Sequence, residues 1–330
     1  MTTTSADLTR LAFGKLNSNF LLPGSPVMTV VRMSSESLAY TPNVVESPEL
    51  DPSGQLRDSI FVGSSSAGNV EFPLVRHNWF HDMLAATFRN NWGVGTLGDN
   101  AVDPNIFVPT PVGANELIPG KQMMLFSVQK RFETPDVLSY HLFDRVAVGS
   151  MALRVQPNEV LTGSVSIMGG VMVPSNADIV GATYPDPGVY KPFTSPLVTE
   201  ISMSGLTNSQ CFNQLSLSFN SNVRGIPCIG SESDREKALG RFVPTIEGTT
   251  YFVGNEHVNA LKAQNFIQVE VELNDGSGNR YTFFYPACKF VTAPVTTAGS
   301  NQEILQPISL RAHYSPTHRY SCKVTRTLSA

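Results

Sequence analysis

FIQVEVELNDGSGNRYTFF, residues 266–284, decides the fold. From Ile267 to Leu273 apolar and polar residues alternate: Ile267, Val269, Val271 and Leu273 fall on one side, and Gln268, Glu270 and Glu272 on the other. That is the pattern of a strand, whose successive side chains point to opposite faces. Asn274, Asp275, Gly276, Ser277 and Gly278 then supply turn chemistry before Arg280 to Phe284 extends again. The stretch predicts a β-hairpin with one core face and one wet, acidic face.

The elements around this hairpin occur twice in the chain, and such internal repeats bear on the whole fold. Upstream of it the pattern predicts a strand Leu215–Phe219, a strand Arg241–Pro244, a turn at Gly248, a strand Thr249–Val253 and a helix over about Glu256–Gln264; downstream it predicts a strand Ile308–Tyr314. The first half runs in the same order. A strand Val27–Met33 precedes a strand at Ile60–Val62, a turn bracketed by Gly63 and Gly68, and a strand Asn69–Leu74. A helix follows over about Trp79–Trp92, with Asn78 as N-cap and Phe80, Met83, Leu84, Phe88 and Trp92 as an apolar stripe. A hairpin Met123–Phe132/Ser139–Val148, turning at Thr134 to Asp136, and a strand Ser164–Met168 complete the copy. The expected division is residues 1–172, a proline-rich linker 173–210, and residues 211–330. Each copy also sends out a long polar excursion, Glu49–Asp58 and Ser231–Gly240, the second with a capping-box spacing that predicts a short helix. In an assembly both excursions would reach a neighbour.

Composition agrees with an ordered, β-rich chain. Hydrophobic residues reach 41%, charged residues only 15%, and the net charge is -4, which excludes the disordered regime. Residues 1–172 carry 11 Lys/Arg against 15 Asp/Glu and residues 173–330 carry 12 against 12. No basic stripe of the kind that tight phosphate binding requires is present. Cys211, Cys228, Cys288 and Cys322 lie far apart without a Cys-x-x-Cys pair and are read as reduced thiols. The N-terminal stretch lacks a basic region followed by an apolar one, and no apolar run approaches the ~20 residues of a membrane span.

Chemistry is sparse. His77 and His81 stand at metal-ligand spacing beside Asp82, but Asn78 occupies the place where a zinc hydrolase carries Glu and no third ligand can be named. A solvated helix start is the favoured reading. Gly120-Lys121 lacks the Ser/Thr and the upstream glycine of a phosphate loop, and there is no Gly-x-Ser-x-Gly elbow. No cofactor, metal or catalytic constellation is implied.

Ser47, Glu49 and Leu50, then Arg57, Gly63, Gly68, Val70 and Leu74, then the helix with Met83, Leu84 and Trp92, form an ordered series. Phe126–Phe132, Tyr140–Phe143, Gly149–Leu153 and Thr162–Gly169 follow in order. By order and spacing this series resembles the major tail tube proteins of siphophages, the long-tailed bacteriophages, in their larger form with a duplicated tube domain. Asp144 and Arg145 depart from it, standing where family members often have a small pair. The resemblance implies a mainly β protein of two tandem β-sandwich or half-barrel domains, each with one flanking helix. The inner hairpins of neighbours would join into a barrel around a lumen through which DNA passes without specific binding. It also implies a non-enzymatic virion protein made and assembled in the bacterial host cytoplasm. Its partners would be itself, in trimeric pseudo-hexameric rings or alternatively homohexamers, together with the tape measure, tail terminator and distal tail proteins, and no membrane. Glu71, Gln129, Glu133, Gln268, Glu270 and Glu272 are the lumen-facing candidates, as polar positions on strands expected to line the barrel. The competing classes are another viral β-sandwich or decoration protein, a carbohydrate-binding module, and a hydrolase with a discontinuous site. Trp79 and Trp92 speak against sugar binding, since both are expected in a helix facing the core.

Overall fold

The computed structural model describes residues 8–329 except 50, 51, 54, 100–106, 111, 134–136, 207–210 and 298; the expected turn at Thr134 to Asp136 lies outside the described residues. The first half forms β1 (Thr9–Lys15), β2 (Ala39–Glu46), β3 (Ser59–Pro73), α1 (Asn78–Phe88), β4 (Leu125–Glu133), β5 (Leu138–Val155), β6 (Thr162–Gly169) and β7 (Met172–Ser175). The second forms β8 (Val198–Met203), β9 (Phe212–Asn220), β10 (Val243–Tyr251), α2 (Glu256–Ala263), β11 (Ile267–Asn274), β12 (Arg280–Thr292), β13 (Leu305–Ala312) and β14 (Lys323–Thr327).

All pairings among these strands are antiparallel, and the strand order repeats. The first half reads β2-β3-β6-β5-β4-β1 with β7 against the start of β5. The second reads β9-β10-β13-β12-β11-β8 with β14 against the start of β12. A bulge fixes the correspondence residue by residue. Gly149 is the extra residue between Val148 and Ser150 opposite Ile167 and Ser166, and Val291 is the extra residue between Phe290 and Thr292 opposite Leu310 and Ser309. A bulge bends its strand and increases its twist. Along one edge of β5, Leu138–Ala147 pairs with β4 while Ser150–Val155 pairs with β9. Thus β5 leaves one layer of the sandwich and enters the other at the bulge, as strands do at sheet corners.

The mainly β class expected from the sequence is the observed one, and several local expectations are corrected. β3 and β10 are each continuous strands, without turns at Gly63 to Gly68 or at Gly248. Gly68 serves close approach: a Cβ there would lie 2.4 Å from the Leu38 backbone. Gly248 lies under the Phe212 ring, 2.9 Å from such a Cβ. Ser231–Gly240 is not helical; Glu236–Ala238 pairs with Arg224–Ile226 as a small hairpin, the counterpart of the longer β2–β3 hairpin. The proline-rich stretch 173–210 contributes β8, which pairs with β11.

α1 starts one residue earlier than its apolar stripe suggests. His77, extended, accepts the Trp79 N–H on Nδ1 at 3.1 Å, and Arg89 ends the helix in the left-handed conformation (φ 57). Trp92 therefore lies beyond the helix, its Nε1 donating to the His81 carbonyl at 3.1 Å. Trp79, Phe80, Met83, Leu84 and Phe88 are all buried, each contributing about 1.5–3 kcal/mol by leaving water. α1 is wedged between the halves: Phe80 meets Tyr281 edge-on at 5.2 Å, and Phe88 meets Phe219 and Phe242, both at 5.1 Å. α2, with His257 as its one buried residue, lies at the periphery. The main hydrophobic core runs unbroken from Leu11 to Val324 across both halves.

Candidate assembly surface and lumen lining

The seam between the halves is a strand pair. Ser150, Met151, Ala152, Leu153, Arg154 and Val155 face Asn220, Phe219, Ser218, Leu217, Ser216 and Leu215. At its end the Ser221 N–H donates to the carbonyl of Gly149 at 2.9 Å. This pairing makes β2-β3-β6-β5 and β9-β10-β13-β12 one continuous eight-strand layer, while β4-β1 and β11-β8 stay separate in their own halves.

Period-2 alternation gives that layer two unlike faces. One cross-strand row, Phe72, Gly163, Leu153, Leu217, Ile246 and Leu310, faces the core. Gly163 is needed because a Cβ there would lie 2.3 Å from Phe72 Cζ. The adjacent row, Glu71, Ser164, Ala152, Ser218, Thr245 and Arg311, faces away from it. A second outward row reads Asn69, Ser166, Ser150 and Asn220. Small hydroxyl and amide groups dominate, with Glu71, Arg154, Glu247 and Arg311 as isolated charges of both signs.

Of the six residues singled out by sequence, Glu71 is on this face. Gln129 is 2% exposed: its Oε1 accepts from Arg10 at 3.2 Å and Tyr184 at 2.7 Å, and its Nε2 donates to Asp178 at 3.0 Å. It braces β4 against the 178–184 segment and lines no open surface. Glu133, also on β4, pairs with Arg131 at 2.6 Å. Gln268, Glu270 and Glu272 lie on β11 in the other layer; Glu270 pairs across with Ser202 and Glu272 with Glu200. Burial, together with Glu200 and Glu272, raises the Glu270 carboxyl above its ordinary range. Glu272 accepts from Arg280 at 3.2 Å. The hydroxyl rows on β6 and β9 are not among the six, although Thr162, Ser164 and Ser166, and Ser216, Ser218 and Asn220, alternate with apolar residues in the sequence.

The small hairpin between β9 and β10 grips the first half. The Ser64 N–H donates to the Glu232 carbonyl at 2.7 Å, and Ser64 Oγ and Tyr40 Oη donate to Glu232 Oε1 at 3.1 and 3.3 Å. Lys237 Nζ donates to the Gly169 carbonyl at 3.1 Å, and Arg145 to the Arg235 carbonyl at 3.3 Å.

The histidine pair is structural. His81 is buried, not solvated, and its Nε2 shares a 2.7 Å hydrogen bond with Tyr281 Oη on β12. Burial, aided by Arg326 and Arg76, pushes its pKa down to about 3. His77 is held below its usual value by burial and Arg32. Among the described residues no group of three or more His, Cys, Asp or Glu could hold a metal ion. All four cysteines are free thiols, and burial pushes Cys288 up to about 12. No helix among the described residues is long and apolar enough to cross a membrane.

The chain is thus a mainly β sandwich protein whose two like halves are joined edge to edge by a strand pair and gripped by a projecting hairpin. Residues 2–312 match the phage tail tube protein family, and the chain belongs to it. It is a structural tail tube protein, a component of the virion tail that self-assembles into a tube. No curated protein matches the chain.

Proposed function

We propose that the chain closes into rings through its continuous eight-strand layer, and that the stacked rings form the conduit for DNA during ejection. The supporting observation is the β5–β9 seam, because there the second half of the chain adds its strand β9 to β5 of the first half. Repeated around an axis, the same step closes a barrel and removes the open sheet edges that would otherwise invite aggregation. Eight strands per chain give twenty-four for three chains. At about 4.8 Å per strand and a tilt of about 40°, that barrel is about 48 Å across its backbone, wide enough for a DNA duplex surrounded by water. Six chains would double the circumference, so the trimer is favoured, each ring containing six repeats.

In this reading the lumen is lined by the rows containing Glu71, Ser164, Ser218 and Thr245, and the β4 and β11 carboxylates lie on the outer layer. Small hydroxyls with few, mixed charges give DNA little to adhere to. The tape measure, tail terminator and distal tail proteins are the expected partners inside and at the ends of the tube. Electron microscopy with native mass measurement tests the proposal: rings or hollow tubes with three chains per ring are expected. Six chains would overturn the trimer, and persistent monomers would overturn the ring.

A further inference from the structure

We infer that the arginine-rimmed groove at the end of β10 and β13 receives the acidic β2–β3 hairpin of the next copy of this chain; this rests on the ring reading above. The groove, about 860 Å³, is lined by Arg241, Phe242, Ala312, His313 and Tyr314, and also by Arg89, Arg311 and Arg319. The matched bulges and strand registers make Arg241 and Phe242 the counterparts of Gly63 and Ser64, and Ala312 and His313 the counterparts of Gly169 and Gly170. Those first-half positions are where the second-half hairpin is seated, with Glu232 on Ser64 and Lys237 on Gly169. Among the described residues, the same place on the second half stands open.

The occupant follows from charge and from what the hairpin exposes. Among the described residues, none of the ion pairs formed involves Arg89, Arg241, Arg311 or Arg319. Arg89, 9% exposed, donates to the Gly240 carbonyl through Nη1 at 2.6 Å but leaves its buried Nε without a partner. The β2–β3 hairpin, counterpart of the one already seated, carries Glu46, Glu49 and Asp58, all exposed, against Arg57. Its stem exposes Val44, Val45, Ile60, Phe61 and Val62, each by 48% or more. An exposed apolar patch of this kind marks an interaction site, and Phe242 and Tyr314 offer an apolar floor for it inside the cationic rim.

The seam that carries the hairpin there would differ from the internal one at Pro42, which stands where Ser221 donates its N–H to the Gly149 carbonyl. A proline has no N–H to give. Side-chain complementarity in the groove therefore has more of the chain-to-chain contact to hold.

The test uses the full chain with Arg241→Glu and Arg311→Glu together, with Glu46→Lys and Glu49→Lys together, and with all four. Each reversal alone is expected to raise the protein concentration needed for assembly by about tenfold or more, read by sedimentation and electron microscopy. Arg241→Gln with Arg311→Gln should give a smaller increase, and the fourfold swap should recover most of the loss. Wild-type tubes together with reversed variants that assemble equally well, or a fourfold swap no better than either pair, would overturn the groove assignment. Wild-type protein that forms no rings would overturn the ring reading instead.

Discussion

Replacing His81 by glutamine tests how α1 is locked between the two halves. Glutamine can still reach Tyr281 Oη, which His81 Nε2 meets at 2.7 Å, but it carries no titrating proton. The histidine pKa is 6.5 in an unfolded chain and about 3 in the folded one. Stability from this residue is therefore complete above pH 6.5 and falls as acid protonates the unfolded state preferentially, until the folded group also protonates near pH 3. Between pH 8 and pH 5 the linkage removes about 2 kcal/mol, at about 1.4 kcal/mol per unit over the roughly 1.5 units below 6.5. Urea unfolding of the unassembled chain, followed by the fluorescence of buried Trp79, reads this at the two pH values. His77 is depressed as well, so the decisive quantity is the difference between variant and wild type. His81→Gln should lose about 2 kcal/mol less than wild type between pH 8 and pH 5. Equal losses in both proteins would refute the claim that the buried, neutral His81 is what acid attacks.

Phe219 is fully buried at the seam, stacked on Phe283 at 5.7 Å and against Phe88 at 5.1 Å; Phe219→Ala should cost about 3–5 kcal/mol and leave a single unfolding transition, because the core is shared by both halves. Gly163→Val would place a Cβ 2.3 Å from Phe72 Cζ and should lower stability by about 1–3 kcal/mol through overpacking; an unchanged urea midpoint would mean that the ring moves aside freely.

What the sequence disclosed depended on whether a signal was local. The β11–β12 hairpin was legible because Ile267 to Leu273 alternates without a break and the Asn/Asp/Gly turn admits few alternatives. Both helices were legible for the same reason, with ends misplaced by a residue at His77 and by several at Trp92. Gly63, Gly68 and Gly248 misled because glycine signals both a turn and a close approach, and only the neighbour across the sheet distinguishes them. The carboxylates on β4 and β11 that the sequence nominates for the lumen differ from the hydroxyl rows of the reading proposed above, since which layer is continuous depends on Ser150–Val155 finding Leu215–Asn220 across a long loop of chain. One usable signal was present: Ser37-Leu38-Ala39-Tyr40-Thr41-Pro42-Asn43-Val44 parallels Ser216-Leu217-Ser218-Phe219-Asn220-Ser221-Asn222-Val223, the strand that makes the seam and the one that would repeat it.

Pro42 bears on the mechanics of such a tube. Within a chain the junction of repeats is sewn by backbone hydrogen bonds and tethered by the polypeptide itself, whereas in the proposed ring the junction between chains would lack one of the donors and any tether. Hoop stress on a ring of three chains would concentrate on every second junction. A tube strained by bending or by the passage of its cargo would then part along three lines rather than six, releasing whole chains that can close again without refolding.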